Sequence, residues 1–123
     1  MNVTVIAFGF KYGIPMELDL LFDVRFLQNP NYDPLLQPRT GSDPDVGAFI
    51  ERDPALAPFL SRLFPLIDFL LPQYQRQGKD RTTIGFGCTG GRHRSVYVAR
   101  RLAEHLHASA RTVECIARDL EAV

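Results

Sequence analysis

The chain has 123 residues, enough to bury one hydrophobic core but not two. It is 46% hydrophobic and 23% charged, with nine Gly and nine Pro, which excludes a disordered chain and a membrane-spanning one. Fourteen Lys and Arg balance fourteen Asp and Glu, so no global field attracts nucleic acid or an acidic membrane, and any polyanion contact must be a local patch.

Residues 2–8 alternate and are β-branched, which reads as a strand. They lack a basic start and are far too short to cross a bilayer, so a cytoplasmic protein without membrane contact is expected. Gly9-Phe-Lys-Tyr-Gly13 breaks this strand with a turn, residues 14–18 allow one helical turn with Pro15 near its start, and residues 20–26 read as a second strand. Residues 28–47 carry four prolines and two glycines and form a long irregular loop, in which Tyr32, Leu35 and Leu36 predict packing against the domain.

A short helix is expected over residues 45–52. Asp53 then offers an N-cap, with Pro54 at the first helical position, for a longer helix. Its Leu56, Phe59, Leu60, Leu63, Phe64, Ile67, Leu70 and Leu71 share one face, and Pro58 and Pro65 should kink or divide it. A polar connection over 73–80 leads to a third strand at 82–87. A helix over 95–106 buries Val96, Ala99, Leu102, Ala103 and Leu106, and a last strand follows at 112–117. Strands alternating with helices predict an α/β fold: a single small domain with a mostly parallel four-stranded sheet flanked by helices.

Chemistry concentrates between the third strand and its helix, in Cys88-Thr-Gly-Gly-Arg-His-Arg-Ser95. Gly90 and Gly91 can take positive φ and admit a ligand to the main chain, and the following helix directs its unpaired N–H groups at the same point. Arg92, His93, Arg94 and Ser95 add donors. Three protonatable side chains at a helix start oppose the dipole unless an anion joins them. Ligands of open α/β sheets bind beyond the carboxyl ends of the strands, which brings Lys11, Asp23 and Arg25 toward this loop, although Asp23 and Arg25 could equally pair with each other.

Cys88 to Ser95 also satisfies the Cys-x5-Arg-Ser/Thr signature of cysteine-dependent phosphatases. In that reading Cys88 is the nucleophile, Arg94 holds the equatorial oxygens, Ser95 eases departure of the thiol, and Asp33, Asp43 or Asp45 supplies the acid. Cys88 and Cys115 are a poor case for a disulfide, the histidines show no zinc spacing, and no metal or cofactor is implied.

Across its length the chain resembles the C-terminal domain of the RapZ/YvcJ family of RNase adapter proteins. The segments that carry the resemblance are Phe8-Gly-Phe-Lys-Tyr-Gly-Ile-Pro15, Phe22-Asp-Val-Arg-Phe-Leu27, Asn29-Pro30, Tyr32-Asp-Pro34, Thr40-Gly41 and Gly87-Cys-Thr-Gly-Gly-Arg-His-Arg-Ser-Val-Tyr97. The resemblance implies a non-catalytic phosphosugar-binding module that senses glucosamine-6-phosphate, presents small regulatory RNA to an endoribonuclease in some members, and forms homo-oligomers. It puts the phosphate on Thr89, Gly90, Gly91, His93 and Arg94 and the sugar beside Lys11, Asp23 and Arg25, with Cys88 a wall residue. Members carry an N-terminal P-loop domain; no Gly-x4-Gly-Lys-Ser/Thr pattern occurs in residues 1–123, so the chain is expected to be either a stand-alone version or one domain of a longer protein, with any nucleotide binding in the other domain. Glu114, Asp119 and Glu121 outweigh Arg111 and Arg118 near the end, which is not the charge pattern of an RNA-binding tail.

Overall fold

Alternation places Val3, Val5 and Ala7 of β1 (Asn2–Gly9) on one face of a sheet, where each is 0–1% exposed. The computed structural model describes residues 1–109 and 111–120 of the chain. It contains β2 (Leu20–Asp23), β3 (Arg81–Cys88) and β4 (Thr112–Ala117) besides β1, all parallel, in the order β2-β3-β1-β4. The expected α/β architecture is therefore present. Because β1 and β3 are central and pair from Asn2↔Arg81 to Gly9↔Cys88, their carboxyl ends finish side by side. That register sets the turn after β1 against the glycine loop after β3.

Among the described residues three α-helices flank the sheet: α1 (Pro44–Glu51), α2 (Leu56–Arg76) and α3 (Arg94–His107). Leu60, Leu63, Ile67 and Leu71 of α2, and Val96, Val98, Ala99, Leu102 and Leu106 of α3, join Val3, Val5, Ala7, Ile84 and Phe86 in one core. The other sheet face is crossed by the connection from β1 to β2. Leu18 and Phe10 lie over Gly85 and Gly87, where an added Cβ would come within 2.7 Å and 2.5 Å of their side chains. No single helix among the described residues is long and apolar enough to cross a membrane.

Several local expectations are corrected. Residues 14–18 form no helical turn; Glu17 adopts φ 65°, and a short 3-10 turn occupies Phe10–Tyr12 instead. The second strand stops at Asp23, because Val24 turns inward to 0% exposure while its N–H still reaches the Gly87 carbonyl at 2.9 Å. Asp53 does not cap α2, which begins at Leu56; its carboxylate accepts the N–H groups of Ala55 (2.9 Å) and Gln28 (2.7 Å), tying the long loop to the helix start. The long helix is not divided. Pro58 falls in its first turn, where no helical N–H is required, and Pro65 lies on the exposed face beside exposed Ser61, so the Ser61 carbonyl left without a partner meets solvent. The same helix runs on to Arg76, through the first half of the stretch expected to be a polar connection. In the loop, Leu36 packs inward, whereas Tyr32 and Leu35 are 85% and 80% exposed.

Candidate functional site

The glycine loop is shaped by its contact with the end of β1. Gly91 takes φ 74°, which L side chains rarely adopt, and a Cβ there would approach the Phe8 carbonyl carbon to 2.7 Å. Gly90 does not take the positive φ open to both glycines, and no atom beyond its chain neighbours lies within 4 Å of where its Cβ would be. Gly91 thus faces protein and Gly90 faces open space. The backbone N–H groups of Gly90, Gly91, Arg92 and His93 donate to no acceptor among the described residues, and those of the first turn of α3 have none in the helix either.

A cleft of about 130 Å³ opens over this loop, lined by Lys11 and Tyr12 from the first turn, Asn29 and Asn31 from the long loop, and Cys88 to Gly90 with Arg92 to Arg94. Lys11 is exposed and makes no salt bridge among the described residues; its Nζ lies 5.1 Å from the Tyr12 ring centre. Among the described residues, no carboxylate lines the cleft.

Arg94 is the central group. It is 4% exposed, its Nη1 donates to the carbonyls of Arg25 (2.9 Å) and Leu27 (3.0 Å), and its Nη2 reaches Thr89 Oγ1 only at 3.5 Å. Its Nε is buried without a partner, and Arg94 forms no salt bridge among the described residues. Desolvating a guanidinium without a counter-charge is costly, so this donor edge favours an anion.

Asp23 and Arg25 stand outside the cleft lining and are joined to each other. Arg25 Nε donates to Asp23 at 2.9 and 3.1 Å and Nη2 at 2.7 Å, with both side chains about half exposed. Arg25, followed by its backbone N–H and by the field of Arg94, holds the Asp23 carboxyl below its ordinary range. The Arg25 guanidinium also stacks 4.0 Å from the Phe10 ring centre.

His93 is 5% exposed, and its Nε2–H donates to the Gln37 carbonyl at 3.2 Å, so it pins the long loop. Burial first, and Arg92 after it, push its pKa below the ordinary 6.5, against backbone acceptors that raise it. The unfolded chain therefore binds a proton at higher pH than the folded one. Stability that is complete above pH 6.5 falls as pH drops below that value. The thermal midpoint is expected to be lower at about pH 5.5 than at about pH 7.5, and His93→Gln, which can keep a donor to Gln37, to flatten that dependence.

Cys88 is buried with its Sγ 3.1 Å from Ser95 Oγ. The acid candidates are occupied elsewhere: Asp33 accepts the Leu35 N–H, Asp43 accepts the Thr40 N–H, and Asp45 pairs with Arg39. None of the three lines the cleft.

The model of the family described as RapZ C-terminal domain matches residues 1–121. The chain belongs to that family. This RapZ C-terminal domain is 49% identical over 121 residues to a nucleotide-binding protein of Rhodospirillum rubrum, an alignment covering 98% of the chain and 38% of that relative. It is 48% identical over 120 residues to one from Zymomonas mobilis (98% and 37% covered) and 54% over 106 residues to one from Halothermothrix orenii (86% and 38%). The chain thus spans well under half the length of these curated relatives. Within the RapZ C-terminal domain, the site residues that sequence reasoning missed are Tyr12, Asn29 and Asn31. Asn29 Oδ1 accepts the Asn31 N–H at 3.0 Å, a turn signalled by Asn-Pro-Asn, but nothing in the spacing aimed it at β3.

Proposed function

We propose that the chain is a non-catalytic sensor or adapter domain that binds a sugar phosphate of the glucosamine-6-phosphate type in this cleft. The observation that carries this reading is Arg94: a buried guanidinium with no carboxylate partner among the described residues, facing a loop whose amides find no acceptor among them either. Phosphate supplies the missing charge and enough acceptor oxygens for Arg94, the Gly90–His93 amides and Thr89. Lys11 stands over the same cleft as a point charge. The Asp23–Arg25 pair at the end of β2 offers the sugar an acceptor for its amino group and a donor for its hydroxyls. Presentation of a small regulatory RNA to an endoribonuclease, and assembly into homo-oligomers, belong to the same proposal as its downstream output. A salt titration of RNA affinity tests the first of these; absence of a salt-dependent complex at low ionic strength eliminates it.

A second reading, a cysteine-dependent phosphatase, is favoured by the 3.1 Å contact between Cys88 Sγ and Ser95 Oγ. One experiment separates the two. The domain is titrated with glucosamine-6-phosphate and with an aryl phosphate, following both heat and release of inorganic phosphate. The sensor reading expects saturable binding without release, retained in Cys88→Ser. Phosphate release that Cys88→Ser abolishes makes the phosphatase correct.

A further inference from the structure

We propose that Asp119 and Arg118, in the turn after β4, are positioning residues that hold both walls of the oxyanion cleft in register, so that the cleft is complete only when this turn is docked. The inference rests on the oxyanion reading above and adds residues that touch no ligand.

The sheet ladder shows why the turn matters. Strand pairing of β4 with β1 ends at Ala7↔Ala117, and the Arg118 N–H makes one more bond to the Ala7 carbonyl at 3.0 Å. Beyond it the Asp119 side chain takes over. Its Oδ2 accepts the Gly9 N–H at 2.7 Å, inside the protein, with Asp119 only 6% exposed. Gly9 is the surface on which the glycine loop rests: an added Cβ there would lie 2.5 Å from the Gly90 carbonyl carbon and 2.8 Å from the Gly91 nitrogen. A shift of Gly9 is therefore transmitted directly to the loop.

The same turn holds the other walls. Arg118 Nη2 donates to the Gly13 carbonyl at 2.6 Å, closing the turn that carries Lys11 and Tyr12. The Leu120 carbonyl accepts Arg92 Nη1 at 2.8 Å, while Arg92 Nη2 donates to the Pro38 carbonyl at 3.0 Å, which binds the glycine loop to the long loop. A carboxylate so close to an anion site would repel the ligand if left bare. Arg118 prevents this, donating Nε to Oδ1 at 2.9 Å and Nη2 to Oδ2 at 2.8 Å.

The test uses inorganic phosphate as probe, with affinity and the amide NMR signals of Gly9, Gly90 and Gly91 as readouts. Asp119→Ala is expected to weaken phosphate binding about tenfold and to move the Gly9 and Gly91 signals in the unliganded protein. Asp119→Asn keeps an oxygen acceptor for the Gly9 N–H and should recover most of the loss. Leu71→Ala, in the part of α2 leading to the opposite end of the sheet, should lower the unfolding temperature at least as much while leaving affinity as in the unmodified chain. Unchanged affinity in Asp119→Ala, or an equal loss in Leu71→Ala, overturns the inference while the site stands. An unmodified chain that shows no phosphate shift at Gly90 and Gly91 overturns the oxyanion reading and the inference with it. If Asp119→Ala does not fold, Arg118→Leu, at a side chain 31% exposed, replaces it, and unchanged affinity there is equally fatal.

Discussion

Arg94→Met is expected to weaken binding of inorganic phosphate and sugar phosphates by about 100-fold while leaving the unliganded domain folded. The reason lies in which edge of the guanidinium is occupied. Arg25 grips Asp23 through Nε and Nη2, and this is the edge that Arg94 leaves without a carboxylate. One charge-assisted bond to a phosphate from that edge, at about 1.5–3 kcal/mol, accounts for the loss, since 100-fold is about 2.7 kcal/mol. In the unliganded protein the substitution strips the Arg25 and Leu27 carbonyls of a donor, but it also removes a buried cation that makes no salt bridge among the described residues, so the two effects oppose each other. The ratio of ligand effect to stability effect is thus diagnostic. Phosphate at 100 times its dissociation constant should stabilise the unmodified chain by about 2.7 kcal/mol and the variant hardly at all. Isothermal titration and thermal unfolding with and without phosphate check both halves. An affinity retained within a factor of about three would show that the guanidinium is structural and the oxyanion lies elsewhere.

What the sequence made legible follows from how local each signal is. The strands of the sheet were readable because alternation and β-branching are properties of a few adjacent residues, and the glycine loop because strand, Gly-Gly and helix follow one another directly. The features that the fold arranges differently depend on partners distant in the chain. Asp53 has the residue type and spacing of an N-cap, yet it serves Gln28 as well as Ala55, and the helix starts later. Pro65 looks like a helix break until the exposed face on which it sits is known. Asp119 illustrates the limit best. In the sequence it is one more acidic residue of a tail that lacks basic character; in the fold it reaches back 110 positions to the Gly9 N–H. Of the residues that motif and topology point to, Lys11, Thr89, Gly90, His93 and Arg94 line the cleft, Gly91 is seated against Phe8 and Gly9, and Asp23 and Arg25 satisfy each other beside it. Nothing in an Asp-x-Arg strand end distinguishes a pair that meets a ligand from a pair that meets itself.

The adjacent glycines give the second large effect, because two identical substitutions should fail in opposite ways. Gly91→Ala places a methyl group on a residue at φ 74°, a conformation that costs an L residue about 1–2 kcal/mol, and 2.7 Å from the Phe8 carbonyl carbon. The obstacle is backbone on both sides, so neither partner can rotate away, and β1 and the loop must separate. A destabilisation of about 3 kcal/mol or more is expected, read as a lowered denaturant midpoint, with phosphate affinity lost through displacement of the loop. Gly90→Ala should leave stability within about 0.5 kcal/mol, since its φ is not in the restricted range and no atom beyond its chain neighbours lies within 4 Å of the new methyl group. Gly90 nonetheless lines the cleft, so a methyl group there takes up space that the oxyanion reading assigns to the ligand. Phosphate binding should therefore fall at least tenfold in a protein of unaltered stability. A Gly90→Ala variant that binds phosphate like the unmodified chain would mean that the ligand does not rest on these amides, and a Gly91→Ala variant of full stability would mean that the loop is not seated on β1.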